Sequence, residues 1–129
     1  MLIILMPAYN EEESLPPLME KLKVTLNEYG EDFRIIVCND GSNDKTQEML
    51  EDYAKNFPLD IITHSINRGL GESSRDLFER AASISSEGDV IIRFDCDDTH
   101  EPKYIPSIVN KVRDGNDVVI ASRFEPGGS

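Results

Sequence analysis

The chain has 129 residues, 39% of them apolar and 7% aromatic, and a net charge of −12. That length holds one domain with a modest core, and the acidic balance argues against a nucleic-acid partner, whose phosphates need Lys and Arg to displace counterions. Cys38 and Cys96 are too few and too far apart for a disulfide framework or a metal knuckle, and the opening apolar run stops at Pro7, short of a membrane span and without signal-peptide architecture, so a soluble cytoplasmic chain is expected.

Short apolar runs then alternate with amphipathic stretches. Residues 2–6 read as a first strand, without polar alternation, as expected where both sheet faces are covered. It leads into Pro7-Ala8-Tyr9-Asn10-Glu11. Ser14 stands as an N-cap with Pro16 in the first helical turn; Leu18, Leu22 and Leu26 fall on one face, and Gly30 closes the helix. A second strand, 33–38, leads into Asn39-Asp40-Gly41-Ser42. The helix after it, 44–55, is expected to bury Met49, Leu50 and Tyr53, and Pro58 limits its extension. A third strand, 59–63, leads into Asn67-Arg68-Gly69, and a helix over 73–85 presents Leu77, Phe78, Ala81 and Ala82. The fourth strand, 89–94, ends abruptly in Asp95-Cys96-Asp97-Asp98. A last helix, 104–113, presents Ile105, Ile108, Val109 and Val112, Gly115 caps its exit, and a fifth strand, 117–121, leads into Ser122-Arg123.

Strands alternating with helices predict an α/β domain with a mostly parallel sheet built by right-handed crossovers. In such sheets ligands sit beyond the carboxyl ends of the strands, near the switch point of strand order. The unusual residues of this chain all follow those ends. Asp95 and Asp97 offer oxygen donors one residue apart, a set that suits Mg²⁺ or Mn²⁺, and Mg²⁺ completes its shell with water and substrate phosphates. Three acids within four residues repel one another unless positive charge sits among them; Arg93, within the strand, is one candidate to shield them.

Other readings of these segments compete. An EF-hand fails, because counting Asp95 as position one puts His100 at the glycine position and Pro106 at the bidentate-glutamate position. A dinucleotide fingerprint over Asn67-Arg68-Gly69-Leu70-Gly71 fails too, since Ser74 takes the third glycine position and the stretch follows the third strand. Asp95-Cys96-Asp97-Asp98-Thr99 also resembles the nucleophile loop of haloacid dehalogenase-like phosphatases, but that reading leaves the upstream loops unexplained. Pro7-Ala8-Tyr9 can be a plain strand exit, Asp40-Gly41-Ser42 a tight turn with Ser42 or Asp44 capping the next helix, Arg68 an exposed loop cation and Arg123 an ion-pair partner. His64 has no motif around it.

Taken in order, five segments resemble the nucleotide-sugar-binding part of family 2 glycosyltransferases, particularly the dolichol-phosphate mannosyltransferase and undecaprenyl-phosphate sugar transferase group. They are Pro7-Ala8-Tyr9-Asn10-Glu11-Glu12, Asn39-Asp40-Gly41-Ser42-Asn43-Asp44-Lys45-Thr46, Asn67-Arg68-Gly69-Leu70-Gly71, Asp95-Cys96-Asp97 with His100 and Pro102, and Ser122-Arg123-Phe124. The resemblance implies a three-layer α/β/α nucleotide-diphospho-sugar transferase (GT-A, Rossmann-like) fold. It implies Pro7, Ala8, Tyr9 and Glu11 as base and ribose contacts, Asp40 as acceptor for a ring N–H of uracil or guanine, and Gly41 as a close backbone approach. It further implies Arg68 beside phosphate, Asp95 and Asp97 on Mg²⁺ or Mn²⁺, and Arg123 on a diphosphate or acceptor phosphate. Asp95, Asp97 and Arg123 are then the catalytic set.

The activity implied is inverting transfer of a sugar from a nucleoside-diphosphate sugar, GDP-mannose or a UDP-sugar, to a polyprenyl (dolichyl-type) phosphate or related acceptor. The alternative is a non-catalytic nucleotide-sugar-binding module. Two departures from the family pattern are Thr99, where Gln often follows as a further metal ligand, and Asp98, in place of a commonly apolar residue. Residues 1–129 are expected to form the donor-binding domain, cut short on its acceptor side, with membrane association through elements beyond Ser129.

Overall fold

The computed structural model describes residues 1–94, 105–113 and 119–120. Five parallel strands, β1 (Leu2–Ala8), β2 (Phe33–Asp40), β3 (Leu59–His64), β4 (Val90–Arg93) and β5 (Val119–Ile120), form one sheet in the order β3-β2-β1-β4-β5. The helices between them are α1 (Leu15–Tyr29), α2 (Thr46–Ala54), α3 (Leu70–Ile84) and α4 (Ile105–Arg113). The expected α/β class with a parallel sheet is what forms. Strand order reverses direction between β1 and β4, so the crevice that such sheets use for ligands opens beyond Ala8 and Phe94.

The side-chain period of two divides β1 between two cores. Leu2, Ile4, Met6 and Ala8 join Leu15, Leu18, Met19, Leu22 and Leu26 of α1, Leu50 of α2, and Ile105 and Val109 of α4. Ile3 and Leu5 face the other way, with Ile36 and Cys38 of β2 and Leu77 and Ala81 of α3. Burial on both faces explains why this strand shows no polar alternation. Each fully buried Leu or Ile contributes roughly 1.5–3 kcal/mol relative to exposure.

Local details differ from the sequence reading in instructive ways. Ser14 occupies the position before α1, but its side chain caps nothing; the Glu11 carbonyl accepts the Ser14 and Leu15 N–H groups instead. Gly30 closes α1 as expected, at φ 82°, donating its N–H to the Leu26 carbonyl. Helix α2 begins at Thr46, two residues later than expected, and Leu50 alone of the three expected core residues is fully buried, with Met49 and Tyr53 packed partly against it. Helix α3 begins three residues earlier, at Leu70, and Ala82 lies exposed on its outer face. Strand β2 runs two residues further than its apolar pattern, carrying Asn39 and Asp40 into the ladder opposite Thr63 and His64.

Candidate functional site

The loops that follow β1, β2 and β3 meet at the carboxyl end of the sheet and are tied together by their own polar groups. At the end of β1 Pro7 is half-buried and Ala8 buried, and Tyr9, the first residue beyond the strand, is exposed. Asn10 turns the chain at φ 51°, a left-handed conformation that Asn tolerates better than most residues. Its N–H donates to Ser42 Oγ at 2.9 Å, and its Oδ1 accepts from the Asn43 N–H at 2.9 Å. Glu11 N–H donates to Thr46 Oγ1 at 2.9 Å, and Glu12 N–H to Asp44 Oδ2 at 3.3 Å. Four bonds thus register the loop after β1 against the one after β2.

The second loop is braced from below. Asn39, buried, donates from Nδ2 to Gln47 Oε1 at 2.8 Å, while its Oδ1 accepts from the Ser42 N–H and hydroxyl. Asp44 Oδ1 accepts the Thr46 N–H at 2.9 Å in a local Asx turn, while the N-cap position of α2 falls to Lys45 and no side chain caps it, so neither Ser42 nor Asp44 is the cap the sequence suggested. Burial pushes the Asp44 carboxyl up, but hydrogen bonds from the Thr46 hydroxyl and the Thr46 and Glu12 amides outweigh it and hold its pKa below the usual range. Thr46, fully buried, joins both loops through one hydroxyl. Thr46→Val keeps the shape and leaves the Glu11 N–H without that acceptor, so a loss of about 2 kcal/mol in unfolding free energy is expected; a urea midpoint equal to that of the unsubstituted chain would show the hydroxyl to be dispensable.

At the centre lies Asp40, 5% exposed. Its Oδ1 accepts the Arg68 N–H at 2.8 Å and its Oδ2 the Gly69 N–H at 2.9 Å, the two amides that open α3. His64, its register partner on β3, places Nδ1 2.8 Å from Asp40 Oδ1 and Nε2 2.6 Å from Oδ2 of Asp76 on α3. Cys38 Sγ lies 3.7 Å from Nε2 on the inner side of the ring. Burial raises the Asp40 carboxyl, yet the His64, Arg68 and Gly69 hydrogen bonds prevail and lower its pKa. For His64 the bonds to Asp40 and then Asp76 prevail over burial and raise the pKa above its ordinary value, so the imidazolium is favoured. Gly41, at φ 72°, packs so closely on the third loop that a Cβ there would stand 2.4 Å from the backbone of Ile66 and Asn67.

Matching the chain against family models gives glycosyl transferase family 2 over residues 3–129. The chain belongs to that family. Among curated relatives of this glycosyltransferase chain, it is 30% identical over 125 residues to a dolichol-phosphate mannosyltransferase of Pyrococcus furiosus, covering 97% of this chain and 34% of the relative. It is 37% identical over 116 residues to an undecaprenyl-phosphate 4-deoxy-4-formamido-L-arabinose transferase of Pectobacterium atrosepticum, covering 90% and 35%. It therefore spans about a third of the length of these relatives. Among solved structures, S. aureus TarS 1-349 in complex with UDP-GlcNAc superimposes with a TM-score of 0.66 at 20% identity, over 88% of this chain and 31% of that one. That likeness concerns the fold, and it bears out the expected GT-A arrangement. Family membership also leaves the phosphatase reading without support.

Within the glycosyltransferase frame the structure brings Pro7, Ala8, Tyr9, Glu11, Asp40, Gly41 and Arg68 to one end of the sheet. Asp95, Asp97 and Arg123 lie outside the described residues, as do Asp98, Thr99 and His100. Among the described residues no group of three His, Cys, Asp or Glu side chains could hold a metal, and no helix is long and apolar enough to cross a membrane. Sequence reasoning passed over His64, Asp76, Gln47 and the Thr46 hydroxyl. For His64 the missing signal was register: letting β2 and β3 run one or two residues past their apolar cores pairs Asp40 with His64.

Proposed function

We propose that residues 1–129 form the donor-binding domain of an inverting glycosyltransferase that moves a sugar from a nucleoside-diphosphate sugar, GDP-mannose or a UDP-sugar, to a polyprenyl phosphate of the dolichyl type or a related acceptor. The observation that carries this reading is the meeting of three family-matching loops at the sheet end beside the switch point between β1 and β4, the loop after β1 bonded to the one after β2 and the loop after β3 bonded to the Asp40 carboxylate. A carboxylate accepts through about four lone-pair sites, and His64, Arg68 and Gly69 take three of those on Asp40, leaving Oδ2 one acceptor direction for a base N–H. Pro7, Ala8, Tyr9 and Glu11 would flank base and ribose, with the exposed tyrosine ring offering stacking area. Gly41 lets the loop after β2 close against the Ile66–Asn67 backbone beside that site, and the exposed Arg68 stands on the rim where a diphosphate would lie.

Asp95 and Asp97 follow Phe94, whose N–H donates to the Leu5 carbonyl beside the crevice. Their oxygen donors fit Mg²⁺ or Mn²⁺, and such an ion supplies Lewis-acid stabilisation of the charge that grows on the diphosphate as the glycosyl bond breaks. An oxygen of the acceptor phosphate forms the new bond to the anomeric carbon from the opposite side; the old C–O bond breaks, and its electron pair leaves with the nucleoside diphosphate. That acceptor is already anionic and needs no general base. Arg123 suits phosphate recognition, because a planar guanidinium matches phosphate oxygens and keeps its charge. The names of the two relatives, both transferases acting with polyprenyl phosphates, support the acceptor class, and with it a site at the cytosolic face of a membrane. Titration calorimetry with GDP-mannose, UDP-glucose and UDP-N-acetylglucosamine, with and without Mn²⁺, is expected to show one donor bound more tightly with the metal. Absence of binding by all three sinks the reading.

A further inference from the structure

Asp40 can present an acceptor direction to a base only if its carboxylate cannot rotate. The two amides at the start of α3 fix one side of it, and the fixing group behind is His64. The imidazole is itself immobilised, because Asp76 holds the opposite ring nitrogen and Cys38 backs the ring. We propose that His64 is a positioning residue for the nucleotide site: bridged between Asp40 and Asp76, it sets the orientation of the Asp40 carboxylate and couples α3 and the 65–69 loop to base recognition. This rests on the donor reading above and goes beyond it, since neither His64 nor Asp76 is expected to touch the nucleotide.

The bridge requires two ring N–H donors, so only the imidazolium makes it in full. A neutral ring donates to one carboxylate and turns a lone pair toward the other. The groups facing the ring are Asp40 and the Cys38 thiol from β2 and Asp76 from α3; Asp76 in turn borders a shallow surface cleft with Glu79 and Arg80. A raised folded pKa means that the stabilisation is complete below the ordinary histidine value of about 6.5 and is lost as pH rises through the folded one. In Asp76→Asn the ring can be neutral with both contacts kept, Nδ1–H donating to Asp40 and Nε2 accepting from the new amide.

The test is titration of UDP and of GDP in EDTA, between pH 6 and pH 9, into the unsubstituted chain, His64→Gln and Asp76→Asn. Circular dichroism checks each fold. For the nucleotide that binds, affinity of the unsubstituted chain should fall with rising pH, and His64→Gln should bind at least about tenfold more weakly at pH 6, the scale of one lost charged hydrogen bond. Asp76→Asn should keep its affinity at pH 6 and lose the pH dependence. Equal affinity in His64→Gln, or an unaltered pH profile in Asp76→Asn, overturns the inference while leaving the donor reading intact. Should His64→Gln fail to fold, the Asp76→Asn profile decides, since the Asp76 side chain is part-exposed. If the unsubstituted chain binds neither nucleotide, even with Mg²⁺, the donor reading falls and takes this role of His64 with it.

Discussion

Gly41→Ala is expected to lower the unfolding free energy by about 3 kcal/mol, combining the cost of a left-handed backbone with that of overpacking. Both conditions hold at this residue. Its φ of 72° disfavours any Cβ, and the Cβ would stand 2.4 Å from Asn67 N and from the Ile66 carbonyl carbon, backbone atoms that cannot swing aside like a side-chain tip. Relief requires moving the 66–67 backbone, and that backbone leads into the two amides held by Asp40. With a urea m-value near ~2 kcal/mol/M the midpoint should drop by about 1.5 M. Gly30→Ala supplies the control, because Gly30 has φ 82° but nothing within 4 Å of the added carbon; it should cost only about 1–2 kcal/mol. If the two substitutions prove equally mild, the close approach at Gly41 is not rigid.

Asp97→Asn should remove the metal-dependent part of donor binding while leaving the metal-free part and the melting temperature unchanged. The argument is chemical. Asparagine keeps the size and one carbonyl oxygen but loses the negative charge that draws a hard divalent cation out of water. Loss of a ligand should cost at least on the order of a hundredfold in Mn²⁺ affinity, the upper end of what supporting residues around a metal contribute. Donor titrations at saturating and zero Mn²⁺ separate the two parts, and an Asp97→Asn chain that still gains affinity on adding Mn²⁺ removes Asp97 from the metal set. Phosphate release from a phosphomonoester through an aspartyl-phosphate at Asp95 would instead revive the phosphatase chemistry.

The layers of this fold were legible because its signals are local. Unbroken Ile and Leu runs marked strands covered on both faces, and leucines four apart marked the buried side of α1. What escaped was set across the chain. Helix α3 opens at Leu70, directly after a Gly69 whose amide is received by Asp40, 29 residues before that glycine; propensity around Gly69 and Gly71 gave no hint of it. Asn39 and Asp40 stay in β2 because ladder partners on β1 and β3 hold them there, although their side chains are polar. The candidate site was legible at Asp40 and Gly41, where family resemblance and turn chemistry coincide. It was not legible at His64, whose role depends on carboxylates 24 and 12 residues away.

The central place of β1 has a consequence for solubility. Leu2-Ile3-Ile4-Leu5-Met6 is uncharged, wholly apolar and free of proline, the composition of a segment prone to cross-β stacking. In the folded sheet it offers no free edge, because β2 pairs along one side and β4 along the other, and both of its faces are packed. The hazard is thus confined to folding. Until β4 has been synthesised, after β2, β3 and three helices, one ladder edge of this apolar segment waits for its partner.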